Sequence, residues 1–251
     1  FCATFSFIVL IFNDSNFEDP ISVIIVLGDR AVSKILLTWQ PVSGVSQYSV
    51  KHKFNDGSFQ TTIVQSPVFE ILIIENRPKI IIEIGTWNGS SAIAMANYAK
   101  EHGLETTIIC IDTWLGSPEH RINADYRESL HLEHGFPKIY YQFLANVILS
   151  DMQHCIVPLP QVSISACRWL TQMGFCDKLG KADLIYIDAD HTFNSVYSEI
   201  TEFWNLLAPG GIMFGDDYND TWPEVKQAVK VFTENLNKEV HIFDNKWIIQ
   251  K

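Results

Sequence analysis

The sequence predicts an open α/β fold, a mostly parallel sheet covered by helices, with a small β-rich appendage over residues 1–65. Three observations carry this reading. From residue 66 onward, short apolar runs alternate with helical patterns, the rhythm of βα units. The run Ile80-Ile81-Ile82 passes through a turn holding Gly85 and Gly89 straight into a helical pattern that opens at Ser90. Two short β runs, 239–243 and 246–250, close the chain as an antiparallel hairpin.

The appendage comes first. Residues 1–12 are strongly apolar but too few to cross a bilayer, which takes roughly 20 residues. They read equally as the tail of a signal peptide's apolar region or as a buried N-terminal strand. The chain begins at Phe1, not Met, so an upstream piece is expected. Runs 21–27 and 34–40 are β-rich, and Pro41-Val42-Ser43-Gly44 supplies turn chemistry. Residues 48–54 alternate up to the Asn55-Asp56-Gly57 turn, and 59–64 form the return strand. The stretch LTWQPVSGVSQYSV (37–50) faintly resembles two strands of a fibronectin type III module. Too little chain precedes Ser66 to complete seven strands.

The main domain spans 66–251. Ser66-Pro67 is a helix start, an N-cap followed by Pro at the first helical position, and the helix reaches about Asn76. The strand at 80–82 is apolar without alternation, so it is buried on both faces. A helix over 90–101 stops at His102-Gly103, and a strand over 107–111 ends in Asp112. A polar stretch, 113–135, carries His120, His131 and His134, and a helix follows over about 136–149. Then come a strand (155–159), a helix (165–172), a strand (184–187) and a helix (193–207) with Val196, Ile200, Phe203 and Leu207 on one face. Pro209-Gly210-Gly211 turns into a strand over 212–215, and Thr221-x-x-Glu224 forms a capping box for a helix to about Leu236.

Composition narrows the function. The formal charge of −11 opposes binding a phosphate backbone, so no nucleic-acid partner is expected. No basic run offers a membrane anchor, so no membrane partner is expected either. Five cysteines without C-x-x-C spacing point to neither a zinc site nor a disulfide framework, and favour a reducing, cytoplasmic setting.

The chemistry is carried by carboxylates. In an open α/β sheet the ligand crevice lies outside the carboxyl ends of the strands. Glu83, Asp112, Asp188-Ala189-Asp190 and Asp216-Asp217 all fall at such ends. That much clustered negative charge is costly unless a cation sits among it. Gly85 allows a tight turn, and Gly89 would let a ligand approach the backbone at a helix start. The G-x-G-x-x-G dinucleotide fingerprint is not met, because Trp87 holds its middle glycine position, and a Walker G-K-[ST] is absent.

EIGTWNGSSA (83–92) followed by CIDTW (110–114) resembles motif I and the ribose-binding acid of class I S-adenosylmethionine-dependent methyltransferases, near the small-molecule O-methyltransferase branch. The resemblance covers about three quarters of the chain, residues 66–251. It implies a Rossmann-like seven-stranded sheet with a C-terminal antiparallel hairpin. It also implies S-adenosylmethionine as cofactor, bound through Glu83, Gly85, Thr86, Gly89, Ser90, Asp112 and Trp114. IDADHTFN (187–194) with FGDDY (214–218) is similar to the metal motifs of the divalent-metal-dependent sugar and phenol O-methyltransferases. That similarity implies Mg²⁺ or a like cation on Asp188, Asp216 and Asp217, and a small sugar or phenolic hydroxyl as acceptor. The base falls to Asp190 or His191, and the Asp-Asp pair, shared with the sugar-type branch, favours Asp190.

Two rival readings differ in class. Asp188-Ala189-Asp190 is a D-x-D, which a glycosyltransferase uses, although such an enzyme needs neither the glycine turn nor Asp112. An inactive domain serving as a binding surface is the other, and it has no use for so many aligned carboxylates.

Overall fold

The structure, a computed structural model, describes residues 6–9, 23–26 and 66–251. The first eight of these form an antiparallel pair, β1 (Ser6–Val9) with β2 (Val23–Val26), Ser6 opposite Val26. The strands expected at 34–40, 48–54 and 59–64, with their turns, lie outside the described residues.

The main domain opens with α1 (Pro67–Asn76), capped by Ser66 in extended conformation with Pro67 in the first turn, as the dipeptide predicts. Next come β3 (Ile80–Ile84), α2 (Ser90–Glu101) and β4 (Thr107–Asp112). After α3 (Pro118–Ile122), α4 (Ala124–Glu128) and α5 (Ile139–Leu149), β5 (Ile156–Pro160) enters the sheet. α6 (Ser163–Gln172), α7 (Phe175–Leu179), β6 (Ala182–Ile187), α8 (Phe193–Phe203) and β7 (Leu207–Gly215) follow. The chain ends through α9 (Pro223–Leu236), β8 (His241–Phe243) and β9 (Lys246–Gln250).

These seven strands form one sheet in the order β5-β4-β3-β6-β7-β9-β8. β5 through β7 run parallel, and β9 and β8 join antiparallel. Ile81 and Ile82 are both fully buried, so β3 is covered on both faces, as its unbroken apolar run requires. Each such Ile contributes about 1.5–3 kcal/mol relative to exposure, which pins the strand's register. On one face Phe69 of α1 packs edge-on against Tyr186, with Phe214 beside them. On the other, Ile82, Ile84, Ile185 and Met213 meet α8 and α9 through Val196, Ile200, Val229 and Phe232.

The chain steps from β3 to β4 on one side and later lays β6 against β3's other side. That reversal is a topological switch point, where open α/β sheets hold ligands beyond the strand ends. No helix among the described residues is long and apolar enough to cross a membrane.

Four local expectations are corrected. Pro209-Gly210-Gly211 is not a turn before the strand but a bulge within β7, since Ala182 pairs with Leu207 while Leu184 pairs with Ile212. The C-terminal Lys251 backbone exchanges hydrogen bonds with Gly210 and Gly211, which draws those residues into the sheet. Thr221 and Glu224 make no capping box. Pro223 sets the helix start one residue later, with Trp222 as its N-cap, and the Glu224 carboxylate accepts the Phe193 N–H of α8 at 2.7 Å. The polar stretch 113–135 holds α3 and α4, and Ser117-Pro118 repeats the start signal of Ser66-Pro67. The helix expected from 136 begins at Ile139, because Glu133 and Phe136 close a backbone bridge first.

Candidate active site

The switch point is closed by a backbone contact. Gly85 leaves β3 with φ of +84°, and a Cβ there would lie 2.0 Å from the Asp188 carbonyl oxygen at the end of β6. Only glycine brings those two strand ends so near. Gly89 also has positive φ, but what a Cβ would meet there is the Phe143 ring, at 2.9 Å. Packing against α5 therefore constrains Gly89 as well.

Glu83 is fully buried, and its carboxylate accepts the hydroxyls of Ser91 and Thr86 (2.8 Å for the latter) and the Cys110 thiol. Burial pushes its pKa up to about 7, against the pull of those hydrogen bonds. Glu83 therefore ties β3 to the first turn of α2 and shapes the loop between them. Ser91, absent from the sequence-derived set, does as much here as Thr86.

Asp112 ends β4 and holds two loops at once. Its Oδ2 accepts the Trp87 N–H at 2.8 Å and its Oδ1 the Trp114 N–H at 2.7 Å. Burial raises its pKa, and those backbone N–H groups partly offset the rise. Trp114 is 2 % exposed; its ring sits against Tyr140 and Phe143, and its indole N–H donates to the Trp87 carbonyl. Trp87, at the missing glycine position, instead stacks its ring on His120 at 4.3 Å. Ser117 donates its N–H to His120 Nδ1, which leaves the proton of the neutral ring on Nε2. Burial lowers the His120 pKa, against the pull of Glu119 and Asp112. Sequence reasoning gave His120 no role beyond its place in a polar stretch; its position three residues after Ser117, the third residue of a helix start, was the available signal.

A cleft of about 730 Å³ runs over these strand ends. Gly85, Trp87, Asp112, Ser117, His120, Gln161 and Ser163 line one part, and Asp188, Asp190, His191, Ser195 and Glu199 the other. Of the expected cofactor residues, Gly85 and Asp112 line it. Glu83, Thr86, Gly89, Ser90 and Trp114 do not. Glu199, which sequence reasoning missed on α8, is 4 % exposed and carries a carboxyl oxygen without a protein partner.

The acid pair of β7 lies beside Asp188. The Tyr186 hydroxyl is 3.0 Å from Asp188 Oδ2 and 3.2 Å from Asp216 Oδ2, and its single proton serves one at a time. Asp216 Oδ2 also pairs with the Lys246 ammonium, and Asp216 Oδ1 accepts the Asp217 N–H at 2.9 Å. Asp217 Oδ2 is 2.8 Å from His191 Nε2, and the His191 ring stacks on Trp222 at 3.9 Å. Burial opposes charging His191, but the hydrogen bond and charge of Asp217 outweigh it and raise the pKa. Asp190 is turned to the start of α8: Oδ1 accepts the Thr192 N–H at 3.0 Å and Oδ2 the Ser195 hydroxyl at 2.8 Å. Asp188, Asp190, His191, Asp216 and Asp217 together wall a second cavity of about 10 Å³. As the side chains stand, no three acid, imidazole or thiol groups among the described residues converge as ion ligands.

A mostly parallel sheet with this strand order, a glycine loop after its first main-domain strand and an acid ending the next are the features of class I S-adenosylmethionine-dependent methyltransferases. The family described as "Methyltransferase domain" matches residues 82–218, more than half the chain, and the protein belongs to it. The O-methyltransferase NovP is similar at 20% identity, over 73% of this chain and 76% of that one, with a TM-score of 0.51. An O-methyltransferase from Bacillus cereus in complex with SAH is 16% identical over 76% and 84%, TM-score 0.51. TomG from Streptomyces achromogenes, in complex with SAM, is 14% identical over 75% and 81%, TM-score 0.50. These likenesses concern the fold. No curated protein matches the sequence. The family and fold displace the glycosyltransferase reading of Asp188-Ala189-Asp190.

Proposed function

We propose that this protein transfers the methyl group of S-adenosylmethionine to a hydroxyl of a small molecule, a sugar or a phenol. One observation carries the reading. Asp112 and the group Asp188-Ala189-Asp190-His191 line one cleft, over the strand ends that meet at Gly85 and Asp188. The sulfonium methyl is already activated, so the protein's task is to orient an oxygen nucleophile and remove its proton. The structurally similar O-methyltransferases NovP and TomG support the same reading.

Asp112 would receive the two ribose hydroxyls on the lone pairs its backbone partners leave over. Asp112→Ala is expected to weaken S-adenosylhomocysteine binding by roughly 1.5–3 kcal/mol, measured by calorimetry on a variant whose melting profile shows it folded. Unchanged affinity would remove Asp112 from the cofactor site.

Asp188, Asp216 and Asp217 fit a divalent cation by chemistry: three hard oxygen donors on adjacent strand ends wall one cavity of about 10 Å³, the scale of a single water or ion. When bound, the ion would stabilise the developing alkoxide. Chelation with EDTA is expected to abolish turnover, and Mg²⁺ to restore it, with S-adenosylhomocysteine affinity unchanged. Full turnover in EDTA would leave these acids a purely organisational role.

For the proton, the geometry favours His191 over Asp190. Both Asp190 oxygens serve the start of α8, whereas Asp217 and Trp222 hold the His191 imidazole at the cleft wall.

A further inference from the structure

The acid cluster already contains a fixed cation. β9 lies antiparallel on β7 with Trp247 opposite Gly215, so the next pair outward sets Lys246 against Asp216. The Lys246 ammonium pairs with Asp216 Oδ2 and lies 5.5 Å from the Phe69 ring centre and 5.8 Å from that of Tyr186. Lys246 is 7 % exposed, and a lysine so covered is held by its partner. α1, β6 and β9 thus build the site of this ammonium, while β7 supplies its carboxylate.

We propose that Lys246 is a positioning residue for Asp216 that competes directly with a divalent cation for this carboxylate. The inference rests on the metal-dependent reading above. Asp216 Oδ2 is shared between Lys246 and Tyr186, and Oδ1, which accepts the Asp217 N–H, keeps one lone pair. An ion that takes Oδ2 must displace one of its donors, and at either oxygen the fixed positive charge of Lys246 beside the cavity repels it. Lys246 therefore keeps the acids assembled without the ion and holds affinity for the ion down. Four carboxylates wall the cavity, and the positive groups against them are Lys246 and, when protonated, His191. Lys246 by itself offsets only one of the four carboxylates, so the cavity still suits a divalent ion.

The test uses Mn²⁺ as probe, titrated by calorimetry and electron paramagnetic resonance into wild type, Lys246→Met and Lys246→Arg. Lys246→Met keeps the buried stem but not the charge, and it is expected to bind Mn²⁺ about tenfold tighter or more. Lys246→Arg keeps the charge and is expected to bind like wild type. In EDTA, Lys246→Met is expected to melt roughly 5–10 °C lower, because Asp216 loses its partner. Saturating Mn²⁺ should recover more of that loss than it adds to wild type. Unchanged or weaker Mn²⁺ affinity in Lys246→Met would overturn the proposal, as would equal tightening in Lys246→Arg or no Mn²⁺ binding by any form. S-adenosylhomocysteine titrated into the same samples keeps the questions apart, since failure to bind it would count against the methyltransferase reading alone.

Discussion

His191→Gln is expected to lower kcat by roughly 10²–10⁴, the share of a general base, with S-adenosylhomocysteine affinity within about twofold of wild type. The geometry sets this expectation. His191 Nε2 lies 2.8 Å from Asp217 Oδ2, and a carboxylate there keeps the proton on Nε2. Nδ1 then carries the lone pair that would take the acceptor's proton. Trp222, stacked at 3.9 Å and 14°, fixes the plane of the ring. Asp190→Asn supplies the contrast. It weakens the acceptors of the Thr192 N–H and Ser195 hydroxyl, so its effect should appear mainly as a lower melting temperature, with kcat reduced less than about tenfold. If Asp190→Asn costs more turnover than His191→Gln in a folded protein, the proton goes to Asp190, as the resemblance to the sugar-type enzymes implied.

Gly85→Ala is expected to destabilise the main domain by about 3–5 kcal/mol, read from urea unfolding, and to abolish cofactor binding. Two costs combine. The φ of +84° is strained for any L side chain, and the added methyl would sit 2.0 Å from the Asp188 carbonyl oxygen. That atom belongs to a backbone pinned on both sides by sheet pairing, so β3 and β6 must part at their ends. Gly89→Ala is the matched control, with similar φ but a side-chain obstacle in Phe143. It should cost less, about 1–3 kcal/mol, because a ring can shift where a strand end cannot. Equal costs at the two positions would mean that the switch point is looser than this contact requires.

What the sequence determined by itself was local. A short unbroken apolar run that passes into a glycine turn fits a strand covered on both faces, and residues 80–82 belong to such a strand. Ser66-Pro67 marks a helix start wherever it occurs, and Ser117-Pro118 marked one that the polar composition around it obscured. Asp112, Asp188 and Asp216 were legible as acids that close or directly follow their strands, whereas Glu83, expected at a strand end, lies inside β3. Gly85 was legible as a turn residue, because its positive φ belongs to the turn itself.

The tertiary structure decided what each of those groups touches. Lys246 meets Asp216 only because β9 pairs with β7 in one register, and a shift of a single residue would turn it to the other face. Glu224 looked like half of a capping box, yet it serves α8, since α8 and α9 lie side by side and Pro223 sets where α9 begins. Trp87 and His120 stack because Asp112 pulls the loops after β3 and β4 together. Asp190 and His191 are adjacent in sequence and both were candidates there, with Asp190 favoured, but one is turned into a helix start and the other onto Asp217. A side chain's partners across strands and helices depend on register and packing between segments far apart in the chain. Hydrophobic period and turn chemistry report only on a residue's own segment, so the acids could be read from the sequence while the groups that hold them could not.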